Sequence, residues 1–164
     1  MAKKNNEEKT NAMRILDRAG IEYSHMSYAC NEFADGVTAA DALGLPHELV
    51  YKTLVTKGSD GQHYVFVIPV ALEMDMKKCA ASVGVKSVSM ICAKDLFALT
   101  GYVRGGCTPI GMKKPFTTRI DSSAKAHPKI FVSAGRVGAN IKLSPDDLLK
   151  VTHDSAYADL VQQI

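Results

Sequence analysis

The chain has 164 residues, 46% apolar and 23% charged, with a net charge of +3. That length suits one domain over 1–164, able to bury roughly 70% of its unfolded surface without staples; no apolar run nears a bilayer span, and the charge falls well short of a domain that coats nucleic acid nonspecifically. Four cysteines without a C-x-x-C pair, and a charged start, Met1-Ala2-Lys3-Lys4, with no apolar h-region, predict a reducing, cytoplasmic setting away from any membrane.

In chain order, Met13, Leu16 and Ala19 fall on one face of a helix over 10–19 that Gly20 stops, and 21–28 reads as a strand. Thr38-Ala39-Ala40-Asp41 has the form of a capping box, which predicts a short helix from Thr38 to Leu43, ended by Gly44 and Pro46. The segment 50–70 alternates apolar and polar residues around Ser59-Asp60-Gly61 and reads as a hairpin with a strongly apolar return strand. A helix from Asp75 to Val83, a strand over 86–91 and a helix over 94–99 lead to Gly101. Strands over 117–120, 130–133 and 139–143 follow, then Ser144-Pro145-Asp146-Asp147 opens a closing helix, with further helical spacing over 155–162. Strands outnumber helices and do not alternate regularly with them, so the expected class is α+β, a mixed sheet flanked by helices.

Between the helix over 94–99 and the strand over 117–120 lies Gly101-Tyr102-Val103-Arg104-Gly105-Gly106-Cys107-Thr108-Pro109-Ile110-Gly111, too rich in glycine for a core element. Adjacent glycines expose consecutive N–H donors, which can face a phosphate or the carbonyl oxygen of an ester. Dinucleotide-binding, Walker, H-E-x-x-H and G-x-S-x-G signatures are missing, so the chemistry is expected to need no cofactor and no metal. His25, His47, His63, His127 and His153 match no metal spacing and receive no role. Cys107 sits in the glycine loop, but no His follows within it, which argues against a thiolate nucleophile. Lys52, in Val50-Tyr51-Lys52-Thr53-Leu54, reads on periodicity alone as the solvent side of a strand.

Taken together, Val50-Tyr51-Lys52-Thr53-Leu54, the loop over 101–111 with Lys113 and Lys114, and Val132-Ser133-Ala134-Gly135-Arg136 resemble, in order and spacing, the YbaK family of freestanding aminoacyl-tRNA deacylases. The resemblance extends over nearly the whole chain. It implies a barrel-like mixed sheet related to the inserted editing domain of prolyl-tRNA synthetase, and hydrolysis of the ester between a wrong amino acid and its tRNA, with Cys-tRNA(Pro) as the substrate. It also implies site residues: Lys52 as the family lysine, Gly105 and Gly106 as the pair at the ester, and Tyr28, Thr53, Ser133 and Asn140 as substrate-binding positions. Phe33 is taken as the pocket's aromatic. Asn140 stands where some relatives carry an acid, and the stretch between Tyr28 and Lys52 is slightly short for the family.

An aminoacyl ester is already activated, so backbone donors and a well-placed cation suffice without a triad. For a cysteinyl ester the resemblance further implies that the substrate's own thiol attacks, an intramolecular reaction that gains from proximity. The aminoacyl-tRNA acceptor end is the expected partner, with prolyl-tRNA synthetase as a second. Two alternatives stand beside this reading: a deacylase for alanyl or seryl esters, and a noncatalytic module that binds tRNA ends or a synthetase. Arg104, Lys113 and Lys114 are read as solvated charges.

Overall fold

The computed structural model describes residues 9–28 and 36–162. Phe33 and Cys30 lie outside the described residues. The first helix, α1 (Asn11–Ala19), is capped by Thr10, whose Oγ1 accepts the Met13 N–H at 3.2 Å, and closes at Gly20; Ala12, Met13 and Leu16 are buried. After β1 (Ser24–Ser27), α2 runs over Gly36–Leu43. The expected start at Thr38 is corrected: Gly36 and Val37 are already helical, and at Gly36 the chain backs directly onto the Val70 side chain, which leaves no room for a side chain there.

The hairpin is β2 (Tyr51–Gly58) and β3 (His63–Pro69), antiparallel with Lys52 opposite Ile68. Asp75 caps α3 (Met76–Val83) by accepting the Lys77 and Lys78 N–H groups at 3.0 Å each. Then come β4 (Val88–Met90), α4 (Ala93–Thr100), β5 (Thr117–Asp121), β6 (Ile130–Ser133), β7 (Ala139–Leu143) and α5 (Pro145–Lys150), the last capped by Ser144. The helical spacing expected over 155–162 is corrected: the segment holds a short strand, β8 (Ala156–Ala158), parallel to β5. Its neighbour Leu160 gives its N–H to the buried carboxylate of Asp121 at 3.0 Å, which holds the chain extended.

The expected mixed sheet is divided in two, one of three strands in the order β1-β7-β6 and one of five in the order β4-β2-β3-β5-β8. Among the described residues they do not close a barrel; they touch at a parallel bridge between Val50 and Phe131. The core sits on both faces of β3, the centre of the larger sheet. Its Tyr64, Phe66 and Ile68 pack with Cys79 and Ala80 of α3, while Val67 on the opposite face joins α1, β6 and β7. A strand buried on both sides must be continuously apolar, and 64–68 is. Among the described residues no helix is long and apolar enough to cross a membrane.

Candidate functional site

β2 has β3 along its whole inner edge, but on its outer edge β4 pairs only with Thr56–Gly58. From the Val50–Phe131 bridge to the bond between Ile91 N–H and the Val55 carbonyl at 3.4 Å, that outer edge has no neighbouring strand among the described residues. A cleft of about 840 Å³ fills the gap. Because the cleft wraps a free edge, it reaches side chains on both faces of β2, Lys52 from one and Thr53 from the next. The Thr53 hydroxyl oxygen is buried with no hydrogen-bond partner among the described residues, an uncommon state for a buried polar atom.

The opposite wall comes from the smaller sheet. Ser133 ends β6 and Asn140 sits across from it in β7, paired on its other side with Met26 of β1. The Ser133 Oγ accepts the Gly135 N–H at 3.1 Å, which fixes the turn, and Tyr28 is tied there by its N–H to the Gly138 carbonyl at 2.9 Å. Tyr28, Ser133 and Asn140 all line the cleft. Six of the expected site residues, Tyr28, Lys52, Thr53, Gly105, Ser133 and Asn140, are thus brought to one cavity.

The glycine loop forms the third wall. It turns at Val103, Arg104, Gly105 and Gly106, with the Gly106 N–H donating to the Val103 carbonyl at 2.9 Å and Gly105 in the left-handed region at φ 86°. Gly105 is needed for that turn, since a side chain there is strained. Gly106 has a different reason to lack one: a Cβ would come within 2.8 Å of the Arg136 carbonyl carbon and the Val137 nitrogen, both backbone. Gly106 therefore does not line the cleft, and its amide is committed inside the loop. Gly105 and Cys107 do line it, and their amides have no hydrogen-bond acceptor among the described residues.

Tyr102 props the loop from below, donating its hydroxyl to the Ile110 carbonyl and packing with Cys107, Val55 and Val65. Burial pushes the Cys107 thiol up to about 12 from an ordinary 9.0, so the side chain stays protonated and the loop presents its backbone rather than a thiolate. Burial likewise raises the Tyr102 phenol to about 12.

Sequence reasoning missed the rest of the lining. His47 reaches the cleft from a single 3-10 turn and holds Asp41 of α2 at 2.8 Å; Met90, Ala93 and Leu96 carry the cavity out toward α4. Nothing in their local pattern signals this, because the wall exists only where β4 diverges from β2.

The sequence model of the aminoacyl-tRNA editing domain matches residues 31–151. A protein of Enterococcus faecalis (strain ATCC 700802 / V583), provisionally named Cys-tRNA(Pro)/Cys-tRNA(Cys) deacylase EbsC, is 43% identical over 154 residues, covering 93% of this chain and 94% of its own. YwhH of Bacillus subtilis (strain 168) is 25% identical over 122 residues, 74% of this chain and 77% of its own. The same fold occurs in a crystal structure provisionally described as a trans-editing enzyme for prolyl tRNA synthetase, with TM-score 0.80, 23% identity, and coverage of 95% of this chain and 100% of that one. With the match over 31–151 and the likeness to the Enterococcus protein along nearly its whole length, the chain belongs to the aminoacyl-tRNA editing domain family.

Proposed function

We propose that the whole chain works as one freestanding deacylase that removes cysteine from Cys-tRNA(Pro), with prolyl-tRNA synthetase as the partner that holds the tRNA body. The observation that carries this reading is that Gly105 and Cys107, whose amides have no acceptor among the described residues, line the same cleft as Lys52. The cysteinyl specificity is supported by the name of the Enterococcus relative.

In this reading the Lys52 ammonium anchors the ribose or phosphate of the terminal adenosine, and the ester carbonyl points at the glycine loop. The donors that meet the developing oxyanion are Gly105 and Cys107, because Gly106 spends its N–H on Val103. A donor of this kind is worth about 3 kcal/mol to the transition state. Tyr28, Thr53, Ser133 and Asn140 hold the aminoacyl group, the orphaned Thr53 hydroxyl gaining a partner when the substrate enters. The substrate's thiol attacks its own carbonyl: a C–S bond forms, the C–O bond to the ribose breaks, and the thiol proton goes to the departing ribose oxygen. The four-membered thiolactone that leaves then opens in water to cysteine.

A panel of charged tRNAs tests this. Cysteine should leave at least tenfold faster than alanine or serine, since hydroxyl is the weaker nucleophile and methyl is none, and Lys52→Ala should cost on the order of 10–100-fold in kcat/KM, the loss of a charge-assisted contact. Alanine released as fast as cysteine overturns thiol assistance. Tight binding of every charged tRNA with no release from any makes the protein a binding module.

A further inference from the structure

Four large apolar side chains stand exposed among the described residues: Met76, Met90, Phe97 and Val103. Three of them cluster along the chain around α4. Met90 precedes the helix and is 50% exposed, Val103 follows it at 48%, and Phe97 on the helix itself is 57% exposed. Phe97, the most exposed of them, is the only aromatic ring in this group.

This patch is continuous with the cleft. Met90, Ala93 and Leu96 line the cavity, and Phe97 lies four residues beyond Ala93, on the same side of the helix one turn away. The ring is also held by a cation. Lys113 Nζ sits 5.2 Å from the ring centroid, its stem lies against Gly101, and its own N–H donates to the Thr100 carbonyl at 3.0 Å, so the lysine is fixed to the end of α4. Lys94 on the helix and Lys114 beside Lys113 are exposed, against a single exposed acid of α4, Asp95. The positive field extends further along the same edge, where Lys57 and Lys114 add to the effect of burial in lowering the pKa of His63.

From this geometry we infer that the outer side of α4, with Phe97 as a stacking ring and Lys113 as a phosphate contact, receives the unpaired nucleotides that precede the terminal adenosine of a tRNA. The inference rests on the proposed function, which puts that adenosine in the cleft; the strand before it must then leave by an open side, and the α4 side offers what a single strand takes. The ring face away from the lysine can stack with any base, and the ammonium over the other face can meet a neighbouring phosphate.

The test compares two substrates, intact Cys-tRNA(Pro) and 3′-O-cysteinyl adenosine, which is too short to reach α4. For Phe97→Ala the ratio of kcat/KM on tRNA to kcat/KM on the adenosine ester should fall about tenfold, through KM, and Phe97→Trp should restore it. Lys113→Ala should lower the same ratio and flatten its dependence on salt. An unchanged ratio in Phe97→Ala overturns the inference, whether because both substrates are handled as in the wild type or because both fall alike, which would make the ring a prop for the cleft. If the wild type cleaves neither substrate, the proposed function fails by itself. The surface is then judged by anisotropy of a labelled single strand ending in CCA: weaker binding to Phe97→Ala supports it, and equal binding assigns the patch to a protein partner and overturns it.

Discussion

At Gly106 two backbones meet: a side-chain carbon there would lie 2.8 Å from the Arg136 carbonyl carbon and the Val137 nitrogen, neither of which can rotate away. Its neighbour Gly105 is constrained differently, by a left-handed φ of 86°. The two substitutions to alanine should therefore differ in kind. Gly105→Ala introduces local backbone strain of about 1 kcal/mol. Gly106→Ala must push the 134–138 turn off the loop, an overpacking cost of about 2–3 kcal/mol, and it shifts Ser133 and Asn140 relative to Gly105 because that turn joins β6 to β7. Urea melts should rank Gly106→Ala as the less stable variant, and deacylation by Gly106→Ala should fall more than its stability loss explains when assayed well below its melting temperature. Equal stability of the two variants would mean the loops can separate freely.

At the scale of elements, the C-terminal segment shows how a strand is held without a strong pattern of its own. β8 is three residues long, and its attachment runs through Asp121 at the end of β5, whose buried carboxylate accepts N–H groups from Leu160 at 3.0 Å and Ser123 at 3.2 Å. Ser123 in turn meets the Tyr51 hydroxyl at 2.7 Å, and Leu160 accepts the Asp75 N–H that precedes α3. Asp121→Ala orphans two backbone donors and should cost about 3 kcal/mol, read as a drop of roughly 5–10 °C in Tm for a chain of this size. Asp121→Asn, which keeps one acceptor oxygen, should lose less. The same segment explains the misread helix. Tyr157, Leu160 and Val161 happen to recur at helical spacing, but the partner that decides their conformation is Asp121, some forty positions earlier. Hairpin β2–β3 was legible because its alternation and its turn are local; α1, α3 and α5 were legible because Thr10, Asp75 and Ser144 cap them through neighbours three or fewer residues away.

At the scale of the molecule, the cleft exists because the smaller sheet meets the larger at the Val50–Phe131 bridge, beside β2, and β4 covers only the far end of the β2 edge. The glycine loop stood out in the sequence as unfit for a core element and Lys52 was singled out through the family resemblance, whereas His47, Met90 and Leu96 could be found only from the gap they surround. One wall of that gap carries a whole-molecule liability. Cys107 and Tyr102 pack together, burial pushes both to about 12, and the nearby thiol adds to the rise of the phenol; Cys79, on α3 in another core cluster, is also pushed to about 12 by burial. The ordinary values are 9.0 for the thiols and 10.0 for the phenol. In the unfolded chain these groups lose their protons first, so their stabilising effect is complete below pH 9 and is lost as pH rises toward 12. Between those limits each group costs the fold roughly 1.4 kcal/mol per pH unit once its unfolded form ionises. Urea midpoints measured under reductant should hold steady from pH 7 to 8.5 and then fall steeply by pH 10.5. Replacing Cys79 and Cys107 together by alanine should lower the midpoint at neutral pH, through lost packing, yet flatten the alkaline decline. A decline as steep in the double variant as in the wild type would place the alkaline sensitivity elsewhere than in the two thiols.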